Sequence, residues 1–367
     1  MSIIPTDTEA EEIEGLGVND GSSWGDYPID TVLIRHETRT VHEVLRRIEQ
    51  GSFIMDPDFQ RDFIWDPDKQ SKLIESVLMR IPLPVFYLAE DEQGRMVVVD
   101  GLQRLTTFQR FVANSLRLRL PDQEQLNKRT FGELLPKMQN RVEDCNLILY
   151  VIDVKVPERA RLDIFERVNG GVPLTRQQMR NCLFMGKATR FLKEEAATSL
   201  FADATGHSLK AATMRDREFV NRFSAFQLLQ PEEYRGDIDE FLAMALRKMN
   251  GMTSTDLNEL SNALQIGLEN NLIVFGKHAF RKHTDAQRDR SVLNAALWDV
   301  MSTGLCKYSR DQVETRAGKL RTAFFELMND DTFMDAITSG TNSTQKVKER
   351  FSRADVKFKE ALDVNAN

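Results

Sequence analysis

The sequence predicts an α+β protein, a mixed domain of strands and helices followed by an all-helical domain. Two observations carry that prediction. Three runs rich in β-branched and aromatic residues, Val85-Phe86-Tyr87-Leu88, Met96-Val97-Val98-Val99 and Leu147-Ile148-Leu149-Tyr150-Val151-Ile152, lie among segments of helical spacing in the first half. From Pro157 onward only the helical spacing persists. A chain of 367 residues is long enough for two domains with substantial cores. The boundaries drawn on this basis are an acidic arm over 1–30, a mixed domain over 31–190 and a helical domain over 191–367.

The arm holds eight carboxylates and no Lys or Arg, so it accounts for the net charge of −7 and leaves the remainder near neutral. Its glycines (Gly15, Gly17, Gly21 and Gly25) make it read as flexible and solvated. Thr40 followed by Glu43 is a capping box, and Val41, Val44, Leu45 and Ile48 mark one face of a helix that stops at Gly51. Asp66-Pro67 is an N-cap with proline at the first helical position, opening a helix that turns Leu73, Ile74, Val77 and Leu78 inward. The runs 85–88 and 96–99 read as paired strands joined through Glu92-Gln93-Gly94. Leu105, Phe108, Phe111 and Val112 form the stripe of the next helix, and 147–152 reads as a strand buried on both faces. Thr175 with Gln178 is a second capping box, and further helices are predicted near 219–229, 238–249, 255–270, 292–301, 312–329 and 344–361.

No apolar run is long enough to cross a bilayer, and Met1-Ser2-Ile3-Ile4-Pro5 leads into acids rather than into a signal peptide. Cys145, Cys182 and Cys306 are widely spaced and odd in number, which fits a reduced, cytoplasmic setting. There is no GxxxxGK[ST] loop and no pair of histidines at the spacing of a ββα-metal nuclease.

Three segments are candidate sites. In Val97-Val98-Val99-Asp100-Gly101-Leu102-Gln103-Arg104-Leu105-Thr106-Thr107-Phe108 a strand ends in Asp-Gly and feeds a helix, which leaves backbone N–H groups for an anion. Gly101 permits close backbone approach, and Arg104 brings a planar fork of donors. Asp100 suits a metal, a ribose hydroxyl or the orientation of Arg104; an ordinary strand, turn and helix held by an Asp–Arg pair fits the same pattern. The segment 57–65 offers the stacking faces of Phe59 and Trp65 with the planar groups of Gln60 and Arg61, or else aromatic anchors of a loop. In Phe165-Glu166-Arg167-Val168-Asn169-Gly170-Gly171, Glu166 and Asn169 share the last turn of a helix, where Glu166 could hold Mg²⁺ or activate water; Asn169-Gly170 also reads as a plain C-cap. Basic residues Arg215, Arg217, Arg222, Lys277, Arg281, Lys282, Arg288 and Arg290 read either as a DNA-contacting channel or as a solvated face. Asp153-Val154-Lys155 imitates the acid-x-lysine core of restriction-type nucleases in a string too short to be specific.

Taken in order, Asp56-Pro57-Asp58-Phe59-Gln60-Arg61 through Trp65, Asp100-Gly101-Leu102-Gln103-Arg104-Leu105-Thr106-Thr107 and Phe165 through Thr175 resemble the GmrSD-type N-terminal domain of prokaryotic anti-phage restriction proteins, over roughly residues 35–190. The resemblance implies a ParB/sulfiredoxin-like fold and binding of a nucleoside triphosphate, with Mg²⁺ as its companion. The family's usual motif is Asp-Gly-Gln-Gln-Arg. Here Leu102 stands at the first Gln, so hydrolytic turnover does not follow from the resemblance. On the family's pattern Asp100, Gly101, Gln103 and Arg104 form the phosphate-binding turn, Thr106 or Thr107 caps the helix toward phosphate or Mg²⁺, Gln60 and Arg61 face the pocket, and Glu166 with Asn169 closes it. Many relatives carry a C-terminal His-Asn-His nuclease domain, a motif this sequence lacks. The implied role is a nucleotide-dependent sensor acting with DNA and a separate effector protein. The alternative is a non-catalytic DNA-binding adaptor.

Overall fold

The computed structural model describes residues 13–15, 34–55, 65–168, 175–230, 233–287 and 289–362. It divides into a unit spanning Gly25–Leu183 and a second made of Phe184–Asn367 with the short stretch that holds Glu14. The first unit is mixed. Its elements run β1 (Ile34–Thr40), α1 (Val41–Glu49), β2 (Phe53–Ile54), α2 (Pro67–Leu78), β3 (Phe86–Glu90), β4 (Met96–Asp100), α3 (Leu102–Val112), α4 (Pro136–Glu143), β5 (Asn146–Ile152), α5 (Glu158–Val168) and α6 (Arg176–Leu183). The strands form one five-stranded sheet in the order β1-β5-β3-β4-β2. β3 runs antiparallel to β4 and parallel to β5, so the motif strand sits next to the centre of the sheet.

The caps read from the sequence are made. Thr40 accepts the N–H of Glu43 at 3.2 Å, Asp66 that of Lys69 at 2.8 Å, and Thr175 and Gln178 bond each other reciprocally at 3.2 and 2.7 Å. One strand goes beyond the sequence reading, and one expectation is corrected. β1 gave no strand signal, because Arg35, Glu37 and Arg39 alternate with Ile34, His36 and Thr38 rather than apolar with polar. Glu37 pairs with both arginines, at 3.0 Å to Arg35 and 2.7 Å to Arg39, and Arg35 also reaches Glu90 of β3 at 2.7 Å. β5 is not buried on both faces: Leu147, Leu149 and Val151 are buried, whereas Ile148 is 40% exposed and Tyr150 half-buried beside His36 of the β1 edge.

Every α-helix of the second unit lies after the last strand: α7 (Lys187–Ala196), α8 (Ser199–Thr205), α9 (Arg215–Leu228), α10 (Ile238–Gly251), α11 (Ser254–Phe275), α12 (Ala295–Leu305), α13 (Arg310–Met328), α14 (Asp331–Thr338) and α15 (Thr344–Leu362). Its core centres on Trp298 of α12, fully buried, whose indole N–H donates to Phe219 O at 2.8 Å and whose ring meets Phe201, Phe219 and Phe280. No helix among the described residues is long and apolar enough to cross a membrane.

Candidate functional site

The site begins where β4 ends. Gly101 adopts φ +102°, a left-handed conformation that turns the chain from strand into helix within one residue. The turn lies tight against β3: a Cβ at Gly101 would fall 2.3 Å from Phe86 Cδ1. No side chain caps α3, and its first helical bond runs from Leu105 N–H to Gly101 O at 2.9 Å. The N–H groups of Leu102, Gln103 and Arg104 therefore have no acceptor within the helix, and the positive end of its dipole lies at the turn.

Arg104 points inward. Its Nη2 donates to Asp100 Oδ2 at 2.7 Å and to Val85 O at 3.1 Å, its Nη1 donates to Pro84 O, and the guanidinium lies 4.2 Å over the Phe86 ring. It is 8% exposed, and burial draws its pKa below the ordinary guanidinium range while Asp100 opposes that pull. Arg104 thus clamps the entry to β3 against the end of β4. Asp100 keeps Oδ1 free of hydrogen bonds among the described residues.

Gln103 accepts the backbone N–H of Trp65 at 3.1 Å, which draws the end of the aromatic segment to the turn. The Thr107 hydroxyl is buried and donates to Gln103 O at 2.7 Å, so of the two threonines it is Thr106 that stays half-exposed. The Glu166 carboxylate lies 3.5 Å from Arg176, which also bonds Asp163 at 2.8 Å; among the described residues nothing bonds Glu166 to the Asp100 turn. Gln60, Arg61 and Asn169 lie outside the described residues. Asp100, Gly101, Gln103, Arg104 and Trp65 are therefore brought together.

Sequence reasoning placed the cap of α6 at Thr175 but gave the helix neither its extent nor its burial. This helix packs against β4 and buries Gln177, Gln178, Arg180 and Asn181 along with its apolar residues. Gln177 bonds Asn181 at 3.1 Å and accepts from Arg180 at 3.0 Å. A helix with so few apolar residues has no stripe to follow, and its one signal was the capping box in front of it.

Residues 41–185 match the family model described as the GmrSD restriction endonuclease, N-terminal domain. This segment is a GmrSD-type N-terminal domain. No curated protein and no solved structure matched the chain. The GmrSD-type match starts at α1 and ends just past α6, so it takes in the whole Asp100 turn and leaves out β1 and the helices from α7 onward.

Outside that GmrSD-type segment, two of the basic residues read as a channel or as a solvated face are buried in the core. Arg222 is buried against Asp299 at 2.8 and 2.6 Å, and Arg281 is buried with bonds to Thr205 O and Ser208 Oγ. Arg215 pairs with Glu218, Lys282 with Glu14, and Arg290 donates to Gly206 O; Arg288 lies outside the described residues. Asp153 accepts the N–H of Lys155 in the turn after β5 and faces Arg35 at 3.6 Å. Among the described residues no three His, Cys, Asp or Glu side chains gather as a ready-made metal site.

Proposed function

We propose that this protein is a nucleotide-binding sensor or regulatory component of a prokaryotic restriction or anti-phage system, with a ParB/sulfiredoxin-like fold in its first unit. The observation that carries the reading is the Asp100–Gly101 turn: a strand end closed on Phe86, an uncapped helix N-terminus and a carboxylate oxygen left available, all inside the GmrSD-type domain. The N–H groups of Leu102 and Arg104 at the start of α3 would take phosphate oxygens. Asp100 Oδ1 fits Mg²⁺, an ion held by one or two carboxylates together with substrate phosphates. Arg104 serves as a positioning residue that fixes Asp100 and the turn, with Gln103 and Thr106 beside it. By the family's pattern Gln60, Arg61 and Asn169 would contact the nucleotide, and Glu166 would act as base or metal partner. Bound Mg²⁺ would neutralise charge on the phosphates; the chain's own groups would orient them and fix the Asp100 carboxylate beside Arg104.

Calorimetric titration with each nucleoside triphosphate and Mg²⁺ tests this reading. Arg104→Ala, which removes the clamp from Asp100, is expected to weaken binding at least a hundredfold, about 2.8 kcal/mol. Unchanged affinity would remove the assignment. A second reading, a DNA-binding adaptor that acts through a separate effector without turnover, is favoured by one observation: Leu102 is buried, so no amide faces the site where the family motif has its first Gln. Phosphate release measured with and without DNA separates the two.

A further inference from the structure

The stretch Leu116-Arg117-Leu118-Arg119-Leu120 in the first unit alternates strictly, its three leucines buried and its two arginines exposed. Backbone bonds between Leu118 and residues 128 and 129, at 2.8 and 2.9 Å, hold it, as does Arg119 N–H to Ser71 Oγ of α2 at 2.8 Å. With the leucines locked inward, Arg117 and Arg119 are held on the outer side of the same strip, about 7 Å apart at the rise of an extended chain. The strip walls a groove of about 830 Å³ whose charged lining is Lys72, Arg110, Arg117, Arg119 and Lys128 against one acid, Asp68. Arg117 pairs with Glu133 at 3.1 Å, Arg119 with Asp68 at 3.8 Å and Lys72 with Glu75 at 2.9 Å. Those of Arg117 and Arg119 are exposed pairs of little strength, easily exchanged for a stronger anion. Lys128 is exposed and has no ion pair among the described residues. Arg110 donates to Gln70 Oε1 at 3.1 Å, Gln70 Nε2 donates to Trp65 O, and Trp65 N–H donates to Gln103 at 3.1 Å. One polar chain thus joins the groove to the Asp100 turn.

We propose that this groove seats the phosphodiester backbone of a nucleic-acid duplex. The five cations of the lining outnumber Asp68 and the two carboxylates that pair with them from beside it, Glu133 and Glu75, which suits a polyanion, and guanidinium forks suit phosphate oxygens. Among the described residues no aromatic side chain lines the groove, so they offer no platform for stacking unpaired bases, and contact falls on the backbone without sequence readout. The inference does not depend on nucleotide binding at the turn, and its test uses none.

Fluorescence anisotropy of the full chain with labelled duplex DNA, and with duplex RNA of the same sequence, measured over a salt series, decides the matter. The double variant Arg117→Gln with Arg119→Gln is expected to weaken binding at least tenfold. It should also lower the slope of log affinity against log salt by about two, near 0.9 per lost phosphate contact on B-DNA. Lys128→Gln alone, checked for native circular dichroism, is expected to lower the slope by about one. The pair Arg310→Gln and Lys357→Gln, an exposed and a half-exposed cation of the other unit, is expected to leave both quantities unchanged. Binding to either duplex with these losses supports the groove and says which helix form it takes. Absence of binding to both duplexes, equal loss in the Arg310/Lys357 control, or binding only to an acidic polypeptide would overturn it. A chain that binds duplex but no nucleotide keeps this inference and loses the nucleotide reading.

Discussion

Gly101 and Arg104 show how much of the site rests on two residues. Alanine at position 101 would have to keep φ +102° while its methyl group entered the Phe86 ring at 2.3 Å. The strain and the overpacking together are expected to cost about 2–5 kcal/mol in urea unfolding. Gly94 supplies the contrast, since it also has positive φ, +73°, but no atom lies within 4 Å of its virtual Cβ. Alanine there meets only the backbone strain, and a loss equal to that at Gly101 would mean that the Phe86 contact is not what demands glycine. Arg104 could be placed by sequence next to Asp100, four residues earlier. The carbonyls of Pro84 and Val85 decided that it turns inward.

At the scale of elements, the segment after α11 brings two histidines against α13. The His283 ring stacks on Phe324 at 4.7 Å and on His278 at 4.8 Å. Burial lowers the pKa of both below the ordinary imidazole value, and neighbouring positive charge from Lys277 and Arg281 lowers that of His278 further. The folded chain therefore resists protonation that the unfolded chain accepts. Stability from this pair is fully present above about pH 6.5 and is lost as pH falls through the unfolded value toward the lower folded one. Calorimetric Tm is expected to drop between pH 7 and pH 5, and His283→Phe, which keeps the stack, should flatten that drop. A profile as steep as that of the parent chain would rule out this origin. α6 makes the complementary point, because its polar residues are buried by β4 and not by any pattern of their own.

Across the helical unit one buried carboxylate holds three distant helices. Asp299 of α12 bonds Arg222 of α9 at 2.8 and 2.6 Å and Arg350 of α15 at 3.0 Å, all three side chains essentially inaccessible to water. Asp299→Asn leaves two buried guanidinium groups without a counter-charge and is expected to destabilise the protein by about 3–5 kcal/mol in chemical denaturation. A loss below about 1 kcal/mol would mean that water or another acid reaches them. Burial also removes Arg222 and Arg281 from the basic residues that could face a nucleic acid: both are structural cations of the core.

Sequence alone determined what is local. Caps at Thr40, Asp66 and Thr175, the helical stripes, the pairing of 85–88 with 96–99 and the Asp-Gly break before α3 all depend on neighbours a few residues apart, and residue chemistry carries them directly. The family of the segment 41–185 was legible because each of the three segments that carry the resemblance is a short contiguous string. Tertiary structure alone decided that β1 joins the sheet, that β5 has a half-open face, that α6 is buried, and which arginines face water. Each of those outcomes depends on a partner tens of residues away, and a charged side chain carries no local mark of whether that partner is a carboxylate, a carbonyl or the solvent.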